Sequence, residues 1–122
     1  MEIIKASTEN KVALYKMTQD AGIKKMSEYE GQEIAVKEYA LYKDIDKDGQ
    51  ERTVLSIMDN EGVCYATNSA TFQKDFDAMA TIFGEDLISI NIVGGTSKAN
   101  RHFITCSLGQ AKEEAGAKKA KK

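Results

Sequence analysis

Side chains that could stack on a nucleobase or meet a phosphate recur along the middle of this 122-residue chain. Tyr42 is followed by Lys43, Arg52 and Tyr65 lie on the next two extended segments, and Lys98, Asn100, Arg101 and Phe103 close the series. Aromatic rings serve as platforms for unpaired bases, and basic groups track the backbone beside them. Each stacked base is worth roughly 1–3 kcal/mol, while a lysine contact adds mainly salt-dependent affinity. The same residues also have a plainer reading: half-buried strand tyrosines, a core phenylalanine and the solvated ends of strands.

Other chemistries fail on spacing. Asp44-Ile45-Asp46-Lys47-Asp48-Gly49 matches the first half of a calcium loop, but the twelfth position, which needs a bidentate glutamate, is Leu55. An acidic hairpin turn is the better reading. One histidine and two cysteines, Cys64 and Cys106, give no zinc spacing. Gly94-Gly95-Thr96-Ser97-Lys98 lacks the four residues between glycines that a Walker phosphate loop requires. His102 alternates with residues on a core face, so no catalytic triad can be assembled around it. The sequence offers no enzyme constellation, and neither a metal nor a cofactor is expected.

These residues must be positioned by strands. Gln32 to Ile45 reads as one long strand whose apolar positions change face near Glu38, the mark of a bulge or strong coil. After the DKDGQE turn, Arg52 to Met58 alternates, with Thr53, Leu55 and Ile57 on one face and Arg52, Val54, Ser56 and Met58 on the other. A turn at Asn60-Glu61-Gly62 leads into Val63 to Thr67, with Tyr65 expected on the side of Arg52 and Val54. Phe72, Phe76, Met79, Ala80 and Phe83 follow helical spacing, with Ser69 or Thr71 as the cap and Gly84 as the stop. Leu87 to Val93 and His102 to Leu108 are two further strands. Ile88, Ile90 and Ile92 are expected to be buried from the first of them, and His102, Ile104 and Cys106 from the second.

Strand, strand, strand, helix, strand, strand is the element order of the OB-fold. The predicted fold is therefore mainly β, a five-stranded barrel with one helix between strands three and four. Residues 1–30 form an N-terminal extension in which Val12 to Met17 fits either a strand or a short helix; a strand pairing with the barrel is the reading adopted.

Length argues for one domain, residues 1–108, followed by a lysine-rich tail over 109–122 that is expected to be disordered. The tail carries five lysines and two glutamates, whereas the other 108 residues carry 12 basic and 17 acidic groups. A uniformly basic nucleic-acid binder is thereby excluded, and a polyanion would need a local patch or the tail. With 42% apolar and 30% charged residues and no long apolar run, the chain reads as soluble. MEIIKASTENK has no signal-peptide pattern, so a cytoplasmic location is expected, with both cysteines as buried free thiols.

From about Glu30 to Leu108 the chain resembles the single-stranded DNA-binding proteins of phi29-like bacteriophages and related phages of Gram-positive bacteria. The resemblance rests on Gly31 before the strand holding Tyr42-Lys43, the Arg52 to Met58 strand, the turn at Gly62, Tyr65 and the Ser69 to Phe83 helix. Its most specific piece is Gly95-Thr96-Ser97-Lys98 through Asn100 to Phe103 and Leu108. It implies a sequence-tolerant OB-fold protein that coats displaced single strands during phage DNA replication, binds duplex weakly or not at all, and stacks tyrosines at Tyr42 and Tyr65. Members also carry a tyrosine in the loop after the first strand, where this chain has Asp46-Lys47-Asp48-Gly49. A monomer in the host cytoplasm follows as an expectation, with phage or host replication proteins as further partners. Two alternatives stay open on the residues: an OB-like module that docks on a host protein, and a binder of single-stranded RNA.

Overall fold

Eight strands and two α-helices make up the regular structure of residues 1–112, the part of the chain that the computed structural model describes. In order they are β1 (Glu2–Ala6), α1 (Lys11–Thr18), β2 (Lys24–Lys25), a 3₁₀ turn (Met26–Tyr29), β3 (Glu33–Ala35), β4 (Glu38–Ile45), β5 (Glu51–Met58) and β6 (Cys64–Thr67). Then come α2 (Ala70–Phe83), a second 3₁₀ turn (Gly84–Asp86), β7 (Leu87–Thr96) and β8 (His102–Ala111). The protein is thus mainly β. None of the described helices is long and apolar enough to cross a membrane.

The strands form two sheets instead of one closed barrel. One has the order β1-β4-β5-β6-β2 and the other β3-β7-β8. Among the described residues no ladder joins β6 to β8; there the start of α2 takes over, Ser69 Oγ donating to the Ile104 carbonyl at 2.9 Å. The single strand expected over Gln32 to Ile45 is two strands in different sheets. Its change of face is a change of sheet: the Val36 N–H donates to Ile88 of β7 at 2.8 Å, and the next amide, Lys37, donates to Met58 of β5 at 2.9 Å.

The main core lies between the sheets and α2. Leu55 and Ile57 of β5 meet Ile34, Ile90, Ile92 and Ile104 from the other sheet, with Phe72, Phe76 and Ala80 packed in from α2. That helix follows its sequence signals. Ser69 caps it by accepting from the Phe72 N–H at 3.2 Å, and Gly84 ends it at a φ of 54°, where a side chain is disfavoured. Because Ser69 also donates to β8, Ser69→Ala is expected to cost about 1–2 kcal/mol, measured by chemical denaturation; a Ser69→Thr variant should keep most of that stability.

The N-terminal region differs from its expected form. Residues 12–17 lie in α1, capped by Asn10, and the strand that pairs with the sheet is β1, against β4. Only Met17 and Thr18 of α1 are buried, while Val12 and Tyr15 are exposed, so its apolar residues never marked a single helical face. Met17 packs on Ala40, Met58 and Cys64, covering part of the side of the five-stranded sheet that faces away from the main core.

Two details of the second sheet also differ. Register shifts between Leu87 and Ile90 turn Ile88 outward and place Leu87, Ser89, Ile90 and Ile92 inside. His102 is exposed because it opens β8 opposite Thr96, at the rim, while Ile104 and Cys106 are buried as expected. Both cysteines are free and buried, and burial with Asp75 nearby pushes the Cys106 thiol up to about 12. Strand β8 continues to Ala111, three residues past the expected end at Leu108, and the Lys112 N–H donates to Asp86. The rest of the lysine-rich tail, from residue 113, lies outside the described residues.

Candidate nucleic-acid interface

Strand register decides which side chains share a face, since directly opposed residues point the same way. In the β5–β6 hairpin Ile57 opposes Tyr65 and Ser56 opposes Ala66. Arg52, Val54 and Ala66 therefore occupy the face away from the main core, beyond the part that α1 covers. Beside them lies a cleft of about 570 Å³, bounded by Lys25 and Ser27 on one side and by His102 and Phe103 of β8 on the other. It lies between the end of β6, whose outer edge carries the two-residue β2, and the start of β8.

Phe103 is half-buried and opposes Gly95 across the β7–β8 ladder. The glycine is required there: a Cβ would come within 2.7 Å of the ring, so the ring lies across bare backbone. Glycine at the neighbouring Gly94 makes room for the Glu30 carboxylate. The Gly94-Gly95 pair thus seats two side chains. It forms no phosphate loop.

The connection ahead of Phe103 is a closed turn. Ser97 accepts from the Asn100 N–H through its carbonyl and from the Arg101 N–H through its hydroxyl, with Asn100 at a φ of 65°. Lys98, Asn100 and Arg101 all stand exposed at this tip. On the far side, Arg52 is tied to Asp46 in the β4–β5 turn, with nitrogen and oxygen 2.7 Å apart. Asp46 also accepts from the Asp48 and Gln50 N–H groups. The Gln50 bond contributes most to holding that carboxyl below its ordinary value, and the acidic stretch does the work of a hairpin turn.

Of the residues nominated from sequence, Arg52 and Phe103 line the cleft, and Lys98, Asn100 and Arg101 stand on the turn that leads into Phe103. Three others do not line the cleft, although Tyr42, opposite Val54, is on the same face as Arg52. Tyr42 is 4% exposed, and its burial, with Asp44 and Cys64 nearby, pushes the phenol up; the ring is not a surface platform. Lys43 opposes Thr53 and points to the other side of the sheet from Arg52. Tyr65, on the face of Ile57 and not that of Arg52, packs edge-on against Tyr29 at 5.0 Å and donates to Asp59 at 3.3 Å.

The residues missed were Lys25, Asn68 and His102, all on the cleft wall. A signal existed only for the first, as half of the exposed Lys24-Lys25 pair. Its two-residue parallel pairing with β6 leaves no periodicity to read.

A family model described as phage single-stranded DNA-binding protein matches residues 2–109 of the chain. The match takes in β1 and α1, so it reaches well before Glu30. No curated protein and no solved structure matches.

Proposed function

The chain belongs to the phage single-stranded DNA-binding protein family, and from that premise we propose that it coats displaced single strands during phage replication by laying them in the β6–β8 cleft. Phe103 is the base-stacking platform. Lys25, Arg52, Lys98 and Arg101 meet successive phosphates, and Asn100 offers its amide to bases without selecting one. The observation that carries this reading is a cleft with one aromatic wall and cations from separate elements at its edges, on a chain whose net charge is −2.

The architecture supports the finer assignment to the OB class. Taking β3 and β4 as two halves of one strand, the order β6-β5-β4, then β3-β7-β8, matches the strand order of a five-stranded barrel opened between its third and fifth strands. A cleft beside the second and third strands is where that class takes oligonucleotides. The protein acts as a binding protein in the host cytoplasm, with no catalytic step.

Titration with labelled oligo-dT of about 30 nucleotides, and with duplex of equal length, tests this at two salt concentrations. Salt-sensitive binding to the single strand and weak binding to the duplex are expected. No single-strand binding at low salt by folded protein would overturn the reading in favour of a protein-docking module. Lys98→Gln and Arg101→Gln should each reduce the slope of log K against log salt by about 0.7, the value for one phosphate on a single strand.

A further inference from the structure

We propose that His102 is an additional phosphate-binding residue of this cleft, held in reserve by Glu30; the inference rests on the single-strand reading above. His102 lines the cleft with Lys25 and Arg52, yet its Nε2 is engaged by the Glu30 carboxylate. Both side chains are partly open to solvent, 58% for His102 and 39% for Glu30, so the pair can separate without exposing a core.

The fold builds this contact. Glu30 precedes Gly31, whose N–H donates to Ile92 of β7 at 2.7 Å, pinning the backbone beside the second sheet. Its carboxylate then occupies the space that Gly94 leaves by having no Cβ. Across the cleft the arrangement repeats, with Arg52 held by Asp46. Each side thus has a basic side chain whose partner is an intramolecular carboxylate, the charge type that a phosphate would replace.

Glu30, from the segment before β3, contacts His102 directly; Lys25 from β2 and Arg52 from β5 share the cleft lining with it, and Arg101 is its neighbour in the chain. When a strand enters, a protonated imidazole exchanges Glu30 for a phosphate oxygen and keeps a charge-assisted hydrogen bond. A neutral imidazole gains much less from that exchange. Because a bound strand adds several phosphates around His102 while Glu30 stays within the cleft, the complex favours the charged imidazole more than Glu30 alone does; binding then takes up protons, and affinity falls as pH rises.

The sequence makes the test clean, because the chain has one histidine. Affinity for oligo-dT at fixed salt is measured from about pH 5.5 to about pH 8.5 on the full-length protein, its His102→Gln variant and its Glu30→Gln variant. Wild-type affinity should fall about three- to tenfold over that range, and His102→Gln should flatten the profile. Glu30→Gln should bind about two- to fivefold more tightly than wild type at the acid end. A His102→Gln profile as steep as wild type overturns the proposal, as does a Glu30→Gln variant no tighter than wild type. Absence of wild-type binding at every pH would instead remove the single-strand reading, and this inference with it.

Discussion

Phe103→Ala is expected to weaken binding to oligo-dT by about 1–3 kcal/mol, roughly a five- to 150-fold rise in Kd, with little loss of stability. The ring is half-buried at the cleft and rests on the Cα of Gly95, outside the main core. Removing it takes away a platform and leaves the ladder hydrogen bonds of β8 in place. Tyr65→Ala is the informative contrast. Its ring lies on the opposite face against Tyr29, so that replacement should lower the unfolding midpoint and change Kd by no more than about twofold. Titration and urea denaturation of both variants check the pair, and equal loss of affinity would show that the strand follows a different path.

Phe76→Ala should have the largest effect on stability, about 3–5 kcal/mol. Phe76 is 2% exposed, sits mid-helix in α2 and meets Tyr39 of β4 edge-on at 5.0 Å. It belongs to the core cluster that includes residues of both sheets, so its loss loosens the contact that joins them. A domain of this size has only about 5–15 kcal/mol in total, so the variant loses from about a fifth to all of its stability. Phe76→Leu, which keeps most of the volume, should lose clearly less. Circular dichroism and tyrosine emission should report one shared transition; separate midpoints would mean that the sheets unfold independently.

Several elements could be read from the sequence because local signals fixed them. The alternation of β5, the Ser69 cap, the Gly84 stop and the turn at Gly62 each depend on a few neighbouring residues. What failed was register and partner choice. Placing Tyr65 with Arg52 and Val54 was a one-residue error across a hairpin, and such an error puts every side chain on the wrong face. The turn fixes the pairing: the Asp59 N–H bonds to the Val63 carbonyl, which sets Ile57 opposite Tyr65. Tyr42 was legible as a strand residue, but nothing near it in sequence says that its ring is buried while Arg52 on the same face stays exposed. The break at Val36 and Lys37 looked like a bulge, because a pattern that changes face is the same signal whether the strand bends or changes sheets. Within the candidate site, the turn from Lys98 to Arg101 and its sequel Phe103 could be read. Lys25 and His102 could not, because tertiary placement alone brings them to the cleft.

The missing ladder between β6 and β8 bears on how the protein treats unlike bases. A closed barrel has a circumference set by hydrogen-bond spacing, and a slot cut into it would favour one size of ring. Here the two walls are joined instead by the Ser69 bond to Ile104, by the crossing at Val36 and Lys37, and by the segment from β2 on the edge of β6 to Gly31, which bonds to Ile92 of β7. On the proposed reading, such a seam would let the gap widen for a purine or close on a pyrimidine by small shifts of side chains, with no run of β6–β8 backbone bonds to break. Indifference to sequence, as proposed, would then be a mechanical property of the seam as much as a chemical property of the residues along it.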